Sequence, residues 1–282
     1  MNHIARIVAM FLIAQLIGLF VGIQLSGSPT YSDLNVTPNQ QSGDIWNSVL
    51  FILYIVAVAV IVVLVIRYFK WSHSLFRLFE IVMIFTTSSL VFFVFLEYFQ
   101  VPYSTEMTVV LSLLLVLMKV VRPEFRNVAA IISSAAAGAL FGFSFDVVPA
   151  LIFIAFASLY DFVSVFVTKH MIYMAKEMSK MDLSFAISSR EKKHVKVHKK
   201  EKEEEMSVEL GAGDIALPLM LAVSAYRYSY SLVDSFAVVL GATVGLVIVL
   251  HYVTTKKVFL PALPPLCSLG ALFFLFARLL LH

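Results

Sequence analysis

The chain has 282 residues, of which 60% are hydrophobic and 14% are charged, and its formal net charge is +3 at pH 7. A soluble globular domain needs a charged exterior that this composition does not supply. The apolar composition therefore predicts an integral membrane protein. The single cysteine, Cys267, excludes an intramolecular disulfide and any metal site built from several cysteines.

Nine apolar segments are long enough to cross about 30 Å of hydrocarbon as helices. The fourth is short, and only Asp146 separates the fifth from the sixth. Because main-chain polar groups in lipid must be paired within a segment, and no segment alternates like a barrel strand, each is predicted to be a helix. The sequence therefore predicts an all-α polytopic membrane protein with a nine-helix bundle, whose spans lie at 4–23, 46–66, 78–96, 105–118, 127–145, 147–168, 208–226, 234–252 and 258–280.

The basic residues indicate how these spans are oriented. When the spans alternate in direction, 19 of the 21 lysine and arginine residues fall on the face that carries the N-terminus, and only Arg227 and Arg278 fall on the other. By the positive-inside rule, the N-terminus is predicted to be cytoplasmic and the C-terminus to be outside.

One long segment, 188–206, combines dense charge of both signs with no apolar periodicity. This pattern predicts a mobile cytoplasmic linker. The chain is accordingly divided into spans one to six (1–168), a charged linker (169–207) and spans seven to nine (208–282).

Nearly all of the 18 acidic residues lie in loops or at the ends of predicted spans, but Asp161 lies within the sixth span and Asp214 within the seventh. A charge at the centre of a membrane costs at least about 2.5–3.5 kcal/mol, and such residues usually mark a functional site. Asp161 lies eight residues before Lys169 and Asp214 seven residues after Ser207. At the helical rise, these offsets place the two carboxyl groups about 12 Å and about 10 Å from the same membrane face. We therefore expect them to meet.

Two carboxyl groups in contact in a site of low dielectric constant share a proton and titrate as a coupled pair. Such a pair suits peptide hydrolysis, because one member activates water while the other protonates the carbonyl oxygen or the leaving amine. Two alternatives stay open: a hydrogen-bonded pair that only joins the helices, and a proton relay in a proton-coupled transporter or channel.

Glycine and proline residues surround the second carboxylate. Gly211 and Gly213 remove side chains just before it, and Pro218 has no N–H to donate to the carbonyl of Asp214. We expect close helix approach and local unwinding there, where water or a substrate backbone can enter. Three further glycine pairs with GxxxG spacing are interpreted as helix-packing contacts: Gly18 and Gly22, Gly138 and Gly142, and Gly241 and Gly245.

Three short motifs follow one another in late spans: Tyr160-Asp161, Gly211-Ala212-Gly213-Asp214 and Pro261-Ala262-Leu263. Their order, their spans and the charged insertion between spans six and seven resemble the YD, GxGD and PAL motifs of the presenilin and signal peptide peptidase family. This resemblance covers essentially the whole chain. It implies a GxGD-type intramembrane aspartic endopeptidase that cleaves transmembrane helices, with Asp161 and Asp214 as the catalytic pair.

The resemblance also implies a substrate-binding role for six residues and the use of no metal or organic cofactor. The partners implied are transmembrane peptide or protein substrates and the lipid bilayer, with no nucleic acid, and homo-oligomerisation is left open. The six residues are Tyr160, Gly211, Gly213, Pro261, Ala262 and Leu263.

Some details distinguish the branches of the family and a rival family. A cytoplasmic N-terminus is presenilin-like, whereas the residues from Asp214 to Pro218 are closer to the signal peptide peptidase pattern, and Ala212 stands where leucine is usual. The compact loops are typical of a prokaryotic or archaeal homologue. A prepilin-type peptidase would share two aspartates but would not explain nine spans or the PAL motif. The prolines of 261–265 are expected to leave carbonyls free as an extended edge for substrate.

Overall fold

The computed structural model describes residues 3–37, 43–68, 72–166, 186–197, 200–256 and 260–281. Within these ranges nine α-helices follow one another, and a β-hairpin separates the sixth from the seventh. The predicted nine-helix membrane bundle is confirmed. The elements are α1 (His3–Gly27), α2 (Ile45–Tyr68), α3 (Ser72–Tyr98), α4 (Ser104–Val121), α5 (Arg126–Ser144), α6 (Val147–Phe166), β1 (Ala186–Val197), β2 (Lys200–Gly211), α7 (Ala212–Ser229), α8 (Leu232–Lys256) and α9 (Leu263–Leu281).

Seven stretches of the described helices are long and apolar enough to cross a membrane. Helix α7 is not among them. Most of its middle is buried, including Ile215, Ala216 and every residue from Pro218 to Ala225. Because α7 is enclosed by other helices, its surface does not have to match lipid, and its lower hydropathy is compatible with a central position in the bundle.

Helices α1 and α7 pack closely and run in the same direction. A Cβ atom added to Gly18 would collide with Leu219, and one added to Gly22 would lie 2.5 Å from a methyl carbon of Val223. Because these contacts advance together along both chains, the two helices are parallel. The first glycine pair is therefore a packing contact, as predicted.

Helix α5 approaches α7 from another side in the same way. A Cβ atom at Gly138 would lie 2.7 Å from the carbonyl oxygen of Ala216, and one at Gly142 would lie 2.7 Å from that of Met220. Helix α7 is thus held between two glycine-bearing helices that run parallel to it. The third pair, Gly241 and Gly245, faces α9 instead.

The charged segment is not an irregular linker throughout. Strands β1 and β2 form an antiparallel hairpin, so the prediction of a mobile linker over 188–206 is wrong for 188–197 and for 200–206. One physical reason is that the hairpin ends in two apolar residues, Ile187 and Leu210, which pair with each other and are buried in the core of the bundle. Residues 167–185, which include the first part of the predicted linker, lie outside the described ranges.

The charge pattern also fits the hairpin register. Lys192 lies opposite Glu205 and Lys193 lies opposite Glu204. Opposite charges at directly opposed positions favour pairing of two strands. The order of charges in this segment is therefore compatible with the observed strand register. A search for apolar periodicity does not detect such a pattern.

The seventh and ninth helices both begin later in the chain than predicted. The seventh span was predicted from 208, but strand β2 continues to Gly211 and α7 begins at Ala212. The ninth was predicted from 258, but α9 begins at Leu263. Its second and third residues are Pro264 and Pro265, which are tolerated because N–H groups in a first turn have no intrahelical acceptor.

Candidate active site

Asp161 faces the interior of the bundle from helix α6. Its side chain is 4% exposed, whereas its neighbour Tyr160 is 65% exposed. The main-chain N–H of Leu263, the first residue of α9, donates a hydrogen bond to Asp161 Oδ2 over 3.4 Å. The YD and PAL motifs, about a hundred residues apart in sequence, are therefore in direct contact.

Asp214 is the third residue of helix α7, and Gly211 is the N-cap residue of that helix. The Asp214 carboxyl group accepts a hydrogen bond from the main-chain N–H of Gly211. An acidic side chain at this position satisfies one of the donors that a helix start leaves without an acceptor. A Cβ atom on Gly211 would lie 3.2 Å from Asp214 Oδ2, so glycine leaves room for the carboxyl group.

The two carboxyl groups are close enough to interact electrostatically. Each also lies at the N-terminus of a helix, Asp214 within α7 and Asp161 against the start of α9. The N-terminal end of a helix carries a partial positive charge that stabilises nearby anions. Two helix starts thus converge on the pair and offset the repulsion between the carboxyl groups.

Cys267 is 3% exposed, and its thiol lies within electrostatic range of both aspartates. The sequence alone did not connect this residue with them. Its spacing was the available signal, because Cys267 follows Leu263 by four residues in the same helix, and residues four apart share one helix face. The thiol therefore belongs to the wall of the candidate site.

The remaining predicted residues lie in different surroundings. Pro261 is buried and Ala262 is half-buried, and both precede α9 beside the Leu263 contact. Gly213 is exposed, and a Cβ atom added there would meet nothing within 4 Å. Close helix packing therefore does not explain Gly213, in contrast to the expectation from the sequence. Tyr160 precedes Asp161 in the chain, but its side chain is exposed whereas that of Asp161 is buried.

Metal ligands are not grouped in the part of the chain that the structure describes. The described residues contain no cluster of three or more histidine, cysteine, aspartate or glutamate side chains that could hold an ion. The chemistry available at the two carboxyl groups is acid–base chemistry on a water molecule and a peptide bond. A site that uses no metal and no organic cofactor stays a prediction.

The chain is similar to proteins of one family. The family model for signal-peptide peptidase and presenilin aspartyl protease matches residues 8–281. A solved presenilin family intramembrane aspartate protease in space group C222 has a TM-score of 0.71 and 18% identity, with 99% of this chain and 100% of that chain covered. A second such structure, in space group P2, has a TM-score of 0.68 and 20% identity, with 97% and 96% covered.

No curated protein sequence matches the chain. The solved structures share its fold at low identity, whereas the family model spans almost all of its residues. A proton-coupled transporter or channel is not favoured by these matches. The chain therefore belongs to the signal-peptide peptidase and presenilin family of aspartyl proteases, and it is an intramembrane aspartyl protease.

Proposed function

We propose that the chain is a GxGD-type endopeptidase in which Asp161 and Asp214 form the catalytic pair and transmembrane helices are the substrates. The observation that carries this proposal is the convergence of three motifs on one place in the bundle. Asp161 accepts the N–H of Leu263, and Asp214 accepts the N–H of Gly211 and interacts with Asp161. In a coupled pair, one carboxylate activates water while the other, protonated, donates to the carbonyl oxygen or to the leaving nitrogen.

The edge of strand β2 supports a specific mode of substrate binding. Asn127 of helix α5 forms two hydrogen bonds with the main chain of Ser188, from Nδ2 to the carbonyl oxygen over 2.9 Å and from the Ser188 N–H to Oδ1 over 3.0 Å. The main-chain groups of Ser188 therefore face away from β2. Asn127 also occupies the outer edge of β1 at this residue, so among the described residues the edge that remains available there is that of β2.

The direction of that free edge follows from the antiparallel ladder, in which successive residues face alternately toward and away from the partner strand. Ser188 pairs with Glu209 and Ala186 pairs with Gly211. Since Ser188 faces away from the ladder, Glu209 and Gly211 also turn their main-chain groups outward. The outward N–H of Gly211 points at Asp214, so the free edge of β2 lies on the side of this carboxyl group.

A substrate helix that unwinds to a strand can therefore add to β2 with its main chain beside Asp214. Strand addition pairs the main-chain groups of the unwound segment, which would otherwise be unsatisfied inside the membrane. The predicted extended edge at 261–265 is not needed for this mode, because Pro264 and Pro265 lie in the first turn of α9. In this mode the substrate is bound through its extended main chain, which supplies affinity.

Substitution of Gly213 provides a test of this binding mode, because a Cβ atom added there would have no described residue within 4 Å. We expect Gly213→Ala to raise the free energy of unfolding by about 0.5–1 kcal/mol, since alanine restricts the unfolded chain more than glycine does. We also expect a severalfold higher KM for a transmembrane peptide, because a methyl group would stand where the substrate backbone approaches. Thermal melting and peptide cleavage measure the two effects, and an unchanged KM would contradict this position of the substrate.

Leu263 tests the contact between the PAL motif and Asp161. Leu263→Pro removes the main-chain N–H at a first helical position that tolerates proline, whereas Leu263→Ala keeps the N–H and removes most of the side chain. A hydrogen bond to a charged group contributes about 1.5–3 kcal/mol. We therefore expect kcat/KM to fall about tenfold to a hundredfold further in Leu263→Pro than in Leu263→Ala. Equal activities of the two folded variants would show that the N–H is dispensable.

We also propose that the N-terminus and the β-hairpin are cytoplasmic and that the C-terminus is outside. The distribution of basic residues supports this orientation, and the two outer arginines are paired, Arg227 with Asp146 at 3.6 Å and Arg278 with Asp234 at 3.7 Å. Labelling intact cells with an impermeant thiol reagent should modify Asp33→Cys but not Glu209→Cys. Both positions are exposed, and the native thiol is buried. Labelling of Glu209→Cys from outside would overturn the orientation.

A further inference from the structure

Gln15 of helix α1 forms a buried link to the helix that carries Asp214. Its side chain is 0% exposed, and its Nε2 donates a hydrogen bond to the carbonyl oxygen of Ile215 over 2.9 Å. Only the NH₂ group of an amide side chain can donate to a carbonyl, so this contact fixes the orientation of the amide. Gln15 thus attaches α1 to the main chain of the residue that follows Asp214.

The attachment lies where α7 is intrinsically weak. Pro218 has no N–H, so the carbonyl of Asp214 loses its intrahelical donor. The neighbouring carbonyl, that of Ile215, is the one that Gln15 holds. One turn further along, the close contact of Gly18 with Leu219 fixes the rest of α7 against α1. The bond from Gln15 therefore attaches α7 to α1 directly beside the carbonyl that this proline leaves without a donor.

The second polar atom of the amide indicates that packing alone does not explain the residue. Gln15 Oε1 is buried and has no hydrogen-bond partner among the described residues. An unpaired acceptor in an apolar interior is unfavourable. A leucine or methionine would fill the same space without this penalty, so the contribution specific to glutamine is the bond that Nε2 donates.

We propose that Gln15 is a positioning residue for the catalytic pair. By holding the main chain at Ile215, it fixes the first turn of α7 and with it the distance and angle between Asp214 and Asp161. This inference rests on the proposed catalytic role of Asp214. A catalytic group displaced by about 1 Å can lower the rate about a hundredfold, so loss of the link should act on kcat rather than on substrate binding.

The test compares two variants that each remove a buried side-chain donor in contact with α7 or carried by it. Gln15→Met keeps length and volume but has no donor. Ser224→Ala is the matched control, because Ser224 Oγ is buried ten residues beyond Asp214, 2.9 Å from the carbonyl oxygen of Phe145 at the end of α5 and 2.8 Å from that of Met220 in its own helix. The measurements are kcat and KM for a transmembrane peptide, the Ki of a hydroxyl-containing transition-state mimic, and the melting temperature.

We expect Gln15→Met to lower kcat about tenfold to a hundredfold, with KM unchanged and with the Ki of the mimic raised by the same factor, because both report the geometry of the pair. Ser224→Ala should lower the melting temperature and leave kcat unchanged. Wild-type kcat in folded Gln15→Met, or an equal loss in Ser224→Ala, would overturn the inference.

A second variant decides the question if Gln15→Met does not fold. Gln15→Asn keeps the amide but shortens the side chain by one methylene, so its donor no longer reaches Ile215. The same loss of kcat is expected, and normal kcat would overturn the inference. Asp214→Asn, measured in the same experiment, distinguishes a failure of the proposed function from a failure of the positioning role. Cleavage by Asp214→Asn contradicts the proposed function itself, whereas its inactivity together with normal kcat in the Gln15 variants contradicts only the positioning role.

Discussion

Replacement of Asp161 or Asp214 by asparagine is expected to reduce cleavage of a transmembrane peptide by about a thousandfold or more, because acid–base catalysis contributes about 10²–10⁴-fold and both members act as one unit. For the same reason, the double variant should be no less active than either single variant. The measurement is the single-turnover cleavage rate of Asp161→Asn, Asp214→Asn and the double variant, each shown to be folded by size exclusion and thermal melting.

The asparagine variants distinguish catalysis from structural support because they preserve the hydrogen bonds. The side-chain oxygen of asparagine can still accept the N–H of Leu263 at residue 161, and that of Gly211 at residue 214. A pair that only joined helices would therefore leave activity largely intact. Cleavage at the wild-type rate by either folded variant would contradict the catalytic assignment.

Gly245→Ala is expected to lower the free energy of unfolding by about 1–3 kcal/mol, as overpacking of a tight core does. A Cβ atom at Gly245 would lie 2.7 Å from the carbonyl oxygen of Pro265 and 3.0 Å from the Cα of Leu266. Both contacts are with main-chain atoms, which cannot turn aside as a flexible side chain can. Helices α8 and α9 must therefore separate, and activity should fall as well because α9 carries Leu263.

A glycine in open surroundings provides the control for this substitution. Gly27 also lies in a helix, and a Cβ atom added there would meet nothing within 4 Å. Gly27→Ala should not lower the melting temperature, and its cleavage rate should be close to that of the wild type. An equal loss of stability in the two variants would mean that helix contact does not explain Gly245.

The apolar pattern was sufficient to predict the nine helices, because each span must satisfy its own main-chain hydrogen bonds in lipid. It was not sufficient for the hairpin. The register of β1 and β2 places opposite charges across from each other in the sequence, such as Lys192 and Glu205, and pairs two buried apolar residues, Ile187 and Leu210. None of these produces an apolar period, so the sequence was interpreted as a linker there.

The meeting of Asp161 and Asp214 could be predicted because both offsets from a span end are read directly from the sequence. The contacts that hold the pair depend on which helix faces which, and that information is not local. Gln15 appears in the sequence as one polar residue in an apolar span, and its partner lies 200 residues away. The surroundings of Gly213, which are open rather than packed, likewise became apparent only in three dimensions.

Mass spectrometry of the products from a single-span peptide in detergent or lipid tests the central claim most directly. The purified protein should cut the peptide at a bond inside its hydrophobic segment, and the same products should be absent when Asp161→Asn or Asp214→Asn replaces the wild type. The claim would be contradicted by cleavage confined to bonds outside the hydrophobic segment, or by identical products from wild type and variants.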